Sequence, residues 1–149
     1  MRELLDNLTE GKVICINNIE YIIKTKTWYS IQEDKTARYI KCELSNNKVL
    51  VIIPDDNLIY VGEIIKDMKY EKMSEDQIKY NGDIFNKTGE GHQYIVNIDF
   101  GNESEVEGQC TFEDYESQNN IISLGILTDK NIRADVYADI INMEDIKVM

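Results

Sequence analysis

The sequence predicts an all-β fold, built mostly of antiparallel hairpins that form a sandwich or partly open barrel. Three observations carry this expectation. Short runs rich in Val, Ile, Tyr and Thr recur with period-two alternation, as over residues 39–44 and 93–100. Asn17-Asn18 and Asn81-Gly82 fall between such runs, where a two-residue primed turn needs positive φ. Helical runs of adequate length are absent, which leaves room for at most one or two short helical segments.

Leu4, Leu5 and Leu8 suit one or two helical turns or an extended arm. Glu10-Gly11 turns the chain into a β-branched run over 12–16, and residues 19–27 place Ile19, Tyr21, Ile23, Thr25 and Thr27 on one face. Trp28, Tyr29 and Ile31 extend or restart the sheet, and 32–35 reads as a polar turn. Over 39–44, Ile40, Cys42 and Leu44 share one side. After Ser45-Asn46-Asn47, the nearly continuous apolar run 49–53 predicts a strand covered on both faces. Pro54-Asp55-Asp56-Asn57 is a turn with a mechanism: Pro fixes φ, and Asp and Asn bond back to the local backbone. The single proline sits at a strand end, where it costs no ladder bond. Residues 58–65 form the next strand.

The one helical signal lies in 66–77. Ser74 and Gln77 match a capping box, with Glu75 and Asp76 placed for the first turn. Asn81-Gly82 follows too soon for a long helix, so the reading is a linker with one helical turn. A hairpin then spans 78–85, with a loop over 88–91 and a strand over 93–100. Past an acidic turn come Val106, a strand over 110–115, a turn at 117–120 and an apolar strand over 121–127. Asp129-Lys130-Asn131 turns the chain into 132–138, and 143–148 closes it. The hairpin patterns of 10–65 and 78–149 resemble each other, which suggests two similar β halves inside one domain spanning 1–149.

The 149 residues suit one domain, able to bury roughly two thirds of the surface its unfolded chain exposes. Residues 1–12 carry acids and no apolar signal core, and no apolar stretch is long enough to span a bilayer. The expectation is a cytoplasmic protein. Cys15, Cys42 and Cys110 are widely spaced with no Cys-x-x-Cys pair, which reads as reduced thiols instead of a disulfide framework.

Net charge is −12, and its distribution matters more than its size. Between Lys87 and Lys130 there is no Lys or Arg, while Glu90, Asp99, Glu103, Glu105, Glu107, Glu113, Asp114, Glu116 and Asp129 all fall there. Such a surface repels phosphate, so nucleic-acid binding and attraction to an anionic membrane are disfavoured. It suits a solvated face or a docking face for a basic partner.

Catalytic motifs are absent. His92 is the single histidine, which removes multi-histidine metal sites and leaves any Cys–His or Ser–His pair resting on one residue. Residues 99–105 are oxygen-rich but lack the ligand spacing of a calcium loop. Gly89 and Gly91 fit no phosphate-binding pattern. Trp28, Tyr29, Tyr39 and Tyr60 read as packing residues, since no basic cluster accompanies them. Neither a cofactor nor a metal is expected. Glu113, Asp114, Tyr115 and Glu116 form the densest chemistry-bearing cluster; on a strand, Asp114 and Glu116 share a face.

Two pieces of the chain resemble a bacterial family catalogued as domain of unknown function 4178. One runs from Leu8, Gly11 and Val13 through Asn18 to Tyr21 and Ile23, like that family's short strand, turn and tyrosine-bearing strand. The other joins Asp114, Tyr115, Glu116 and Ser117 to Ile122, Ser123 and Leu124, then a tight turn and Glu144, Asp145 and Ile146. The turn Tyr80-Asn81-Gly82 with Phe85 behind it supports the likeness. Where family members often carry a tryptophan, this chain has Gly125, Ile126 and Leu127. The resemblance implies a β-rich cytoplasmic bacterial domain and brings no catalytic residues with it.

The leading expectation is a non-enzymatic module that binds a protein with a basic surface, using Glu113, Asp114, Tyr115, Glu116, Glu103, Glu105 and Glu107. A hydrolase or small-ligand enzyme built on clustered carboxylates is the alternative, and an acidic mimic of nucleic acid the third. Exposed edge strands would also allow a homodimer.

Overall fold

A computed structural model describes residues 2–31, 34–101, 108–127 and 132–149. After the one α-helix, α1 (Arg2–Asn7), the described chain is almost entirely strand. The first half holds β1 (Val13–Ile16), β2 (Ile19–Ile22), β3 (Lys26–Ile31), β4 (Asp34–Glu43), β5 (Lys48–Ile53) and β6 (Leu58–Ile64). The second holds β7 (Glu71–Ser74), β8 (Gln77–Tyr80), β9 (Asp83–Phe100), β10 (Gly108–Ser117), β11 (Asn120–Leu127), β12 (Ile132–Arg133), β13 (Val136–Ile141) and β14 (Ile146–Val148). Short 3-10 turns occupy Ser45–Asn47, Pro54–Asp56 and Met143–Asp145. The fold is all-β, as the alternation predicts.

Asparagine chemistry sets the tight turns. Asn17 and Asn18 lie at φ 50° and 67°, and Ile16 faces Ile19 across the turn they make. Asn81 at φ 50° and Gly82 at φ 85° join Tyr80 to Asp83 in the same way. A Cβ added at Gly82 would meet nothing within 4 Å, so only its left-handed backbone favours glycine there. Gly82→Ala is therefore expected to cost about 1 kcal/mol in a urea melt. An unchanged midpoint would show that the turn relaxes freely.

The strands form two antiparallel sheets. The smaller has the order β14-β1-β2. The larger runs β10-β11-β13-β6-β5-β4-β3-β9-β8-β7, with β12 on β11. The 18-residue β9 shapes it, pairing with β8 through 83–86, with β10 through 86–96 and with β3 through 94–100. The large sheet thus curls round until β10 and β3, far apart in strand order, flank one strand. β13 pairs with β6 and β14 with β1, so each sheet joins strands from 10–65 to strands from 78–149.

Period-two alternation sorts side chains between the inside of the curl and two covered outer faces. Val49, Val51, Tyr60, Ile121, Val136 and Ala138 pack together inside. On one outer face, Ile40, Cys42, Leu50, Ile52 and Ile59 meet Ile14, Ile16 and Tyr21 of the small sheet and Leu8 beyond α1. On the other, Tyr115, Ile122 and Leu124 lie under Ile78 and Phe85 of the β8–β9 hairpin and Met68. β5 is therefore buried on both faces, as its unbroken apolar run predicts.

Three local expectations are corrected. Residues 66–77 contain no helical turn: β7 and β8 pair across Glu75 and Asp76. The Ser74 hydroxyl accepts from the Asp76 backbone N–H at 3.3 Å, a short-range bond of the type an N-cap uses, and strand pairing decides the outcome. The expected loop over 88–91 is continuous strand, since Gly89 pairs with Asp114 and Gly91 with Phe112. Of the expected turn 32–35, Asp34 and Lys35 belong to β4, while Gln32 and Glu33 lie outside the described residues. The expected turn at 129–131 lies outside them too.

Candidate functional site

At the end of the curl where β5 turns into β6 and β10 into β11, a cavity of about 590 Å³ opens. Tyr39, Ile53, Leu58, Phe112 and Ile121 give it apolar walls. Asp55, Asp56, Glu90, Asp114 and Glu116 also line it. Among the described residues, no Lys, Arg or His does so.

Strand alternation splits the predicted cluster between two environments. Asp114 and Glu116 face the cavity with Phe112. Glu113 and Tyr115 face the opposite way, where the buried Tyr115 hydroxyl donates to Glu113 Oε2 at 2.8 Å. Lys87 stands 3.6 Å from Glu113 and 3.7 Å from Glu90, with its ammonium 5.8 Å from the Tyr115 ring centre. Burial alone would raise the Glu113 pKa, but the Tyr115 hydroxyl and the Lys87 charge bring it below its usual range. For Tyr115, burial and the Glu113 carboxylate together push the pKa up. Glu113 and Tyr115 thus secure the outer face of β10, on the side opposite Asp114 and Glu116. Glu103, Glu105 and Glu107 lie outside the described residues.

Asp114 is the unusual member. Its side chain is buried, only 6% exposed. Oδ1 has no hydrogen-bond partner, while the Ser123 side chain bonds the carboxyl group. Burial raises its pKa to about 7, with the Glu116 and Asp56 charges adding to the rise and the Ser123 bond opposing it. A buried carboxylate with an unsatisfied oxygen costs free energy unless a donor or cation arrives.

The space in front of Asp114 has a backbone origin. Its cross-strand partner is Gly89, where an added Cβ would meet nothing within 4 Å. Paired residues of an antiparallel ladder point to one face, so the missing side chain leaves the cavity open beside the carboxylate. Deeper in, Tyr39 stacks on Tyr29 at 4.1 Å and meets Phe112 edge-on at 5.3 Å. Below them Lys41, 3% exposed, lines a small adjoining void with Cys110, Tyr60 and Ser123.

Sequence reasoning missed Asp55 and Asp56 as companions of Asp114, and Glu90 as a residue lining the same cavity. The first two served only as turn formers after Pro54, and no spacing signal links them to a strand sixty residues away (~60). Tyr29 and Tyr60 are buried packing residues, as expected, and Trp28 packs on the other side with the small sheet. None of the three cysteines forms a disulfide. Among the described residues, no group of three or more His, Cys, Asp or Glu side chains is gathered to hold a metal ion. None of their helices is long and apolar enough to cross a membrane. Comparison with protein-family models, curated proteins and solved structures finds no match to this chain.

Proposed function

We propose that the chain is a non-enzymatic cytoplasmic binding module whose acidic cavity mouth docks a partner protein bearing a basic surface. The observation that carries this reading is the buried Asp114, with its free Oδ1, at a mouth also lined by Asp55, Asp56, Glu90 and Glu116. The carboxylates of Asp55, Asp56, Asp114 and Glu116, converging from two parts of the chain, set up a negative potential that steers and orients a cationic partner.

A carboxylate-based hydrolase is the second reading, favoured by a carboxyl group held near pH 7 as a general acid requires. That chemistry wants a second desolvated acid beside the first. Asp55, Asp56 and Glu90 are exposed and Glu116 is half-buried, so binding is the better-supported role.

The test compares two variants of equal charge against a lysine-rich peptide. One carries Asp55→Asn, Asp56→Asn and Glu116→Gln at the mouth. The other neutralises exposed acids elsewhere, through Glu71→Gln, Glu75→Gln and Glu144→Gln. Wild type and the remote variant are expected to bind, more weakly as salt rises, and the mouth variant to lose about tenfold in affinity. Equal binding by the two variants would mean that net charge alone attracts the peptide and would refute the mouth as the docking site.

A further inference from the structure

Four features narrow what the cavity accepts. First, Asp114 lines the cavity as a buried carboxyl group whose Oδ1 has no hydrogen-bond partner, while Ser123 bonds the group. A single acceptor suits an ammonium, a point charge, better than a guanidinium, whose planar fork wants two. Second, the walls beside it are Tyr39, Phe112 and the apolar side chains of Ile53, Leu58 and Ile121. Such walls match a methylene stem and reward a cation near an aromatic ring. Third, Asp55, Asp56 and Glu116 line the same cavity, so a cation entering it meets negative charge along its path. Fourth, Gly89 keeps the approach to Asp114 clear.

We propose that the cavity seats the side chain of one lysine from the partner protein, its ammonium paired with the Asp114 carboxyl group and its stem along the Tyr39 and Phe112 rings. This deepens the reading of the mouth as a docking face for a basic partner and rests on it. The exposed carboxylates Asp55 and Asp56 attract the partner, and Asp114 selects the residue that enters. Entry is coupled to loss of the Asp114 proton, since only the carboxylate completes the ion pair. The charged and titratable groups around Asp114 are Glu116 on its own strand, Asp55 and Asp56 from the β5–β6 turn and Glu90 from β9. Beyond them lie Lys41 and Tyr39 of β4, Tyr60 of β6 and Cys110. Glu116 and Asp56 both raise the proton affinity of Asp114, and an arriving ammonium opposes them.

The experiment titrates the full chain with N-acetyl-lysine-N-methylamide and with the arginine equivalent, followed by NMR shifts of the Tyr39 and Phe112 rings. The lysine compound is expected to bind about tenfold more tightly than the arginine compound. Its affinity should fall roughly thirtyfold between about pH 8.5 and about pH 5.5, following the ionised fraction of a carboxyl group with pKa about 7. Asp114→Asn should remove binding, and Gly89→Val should block it by filling the cavity without a change of charge. Should Asp114→Asn fail to fold, the wild-type pH dependence and Gly89→Val decide the matter. Equal binding of the two compounds, a flat pH profile, or full binding by Gly89→Val would overturn the lysine seat. If the lysine-rich peptide still needs the mouth acids in that case, the docking reading survives alone; if it does not, both fall.

Discussion

Asp114→Asn is expected to raise the melting temperature of the protein at about pH 8 and to leave it unchanged at about pH 3. The carboxyl group titrates at about 7 in the folded chain, against 3.8 for an unperturbed aspartate. The folded state therefore holds its proton over a range in which the unfolded chain has already released it. Stability is highest below 3.8, declines as pH climbs from 3.8 to about 7, and levels off above. Across that interval the ionised side chain costs roughly 4 kcal/mol, an upper figure for what asparagine recovers. Asparagine keeps the shape and can bond Ser123 without carrying charge into the cavity. A variant that gained nothing at high pH would show Asp114 to be solvated and ordinary. A protein that retains such a cost at the mouth of a cavity gives up stability where a site gains from it.

Gly62→Ala is expected to be the most damaging small change in the sheet. Gly62 sits in β6 between Val49 of β5 and Ala138 of β13. A Cβ there would overlap the Tyr137 carbonyl oxygen and the Ala138 backbone, and would lie 2.6 Å from the Ala138 Cβ. Backbone cannot swing aside as a flexible side chain can, so β6 and β13 would have to separate. That junction joins strands from the two halves of the sequence, and Ala138 belongs to the inner core. A loss of roughly 3 kcal/mol is expected by denaturant titration, near the upper end for overpacking. A loss as small as that expected for Gly82→Ala would show that the two strands have room to part.

These two glycines mark what the sequence makes legible and what it hides. Gly82 is announced by its neighbours: Asn81-Gly82 between alternating runs specifies a hairpin, and the backbone angles follow. Asn17 and Asn18 behave alike, because positive φ is a local requirement met by local chemistry. The role of Gly62 depends on β13, which arrives more than seventy residues later (~70) and cannot be inferred from any window around it. The same holds for Gly89. Its flexibility reads as loop, yet its pairing with Asp114 extends β9 and opens the cavity.

The candidate site was half legible. Alternation along β10 places Asp114 and Glu116 together and sends Glu113 and Tyr115 to the other side, a consequence of the two-residue period. The desolvation of Asp114 was not legible, since it needs the curl of the sheet and the turns beside it. Nor could the residues 66–77 be settled locally, because the Ser74 side chain serves a tight turn as well as it would a helix start.

The most direct measurement of the central claim is the titration of the Asp114 carboxyl carbon by NMR, alone and with a saturating alkylammonium such as n-butylammonium. An apparent pKa near 7 for the free protein, falling when the ammonium binds, is the predicted result. An ordinary aspartate value in the free protein, unmoved by the ammonium, would contradict it.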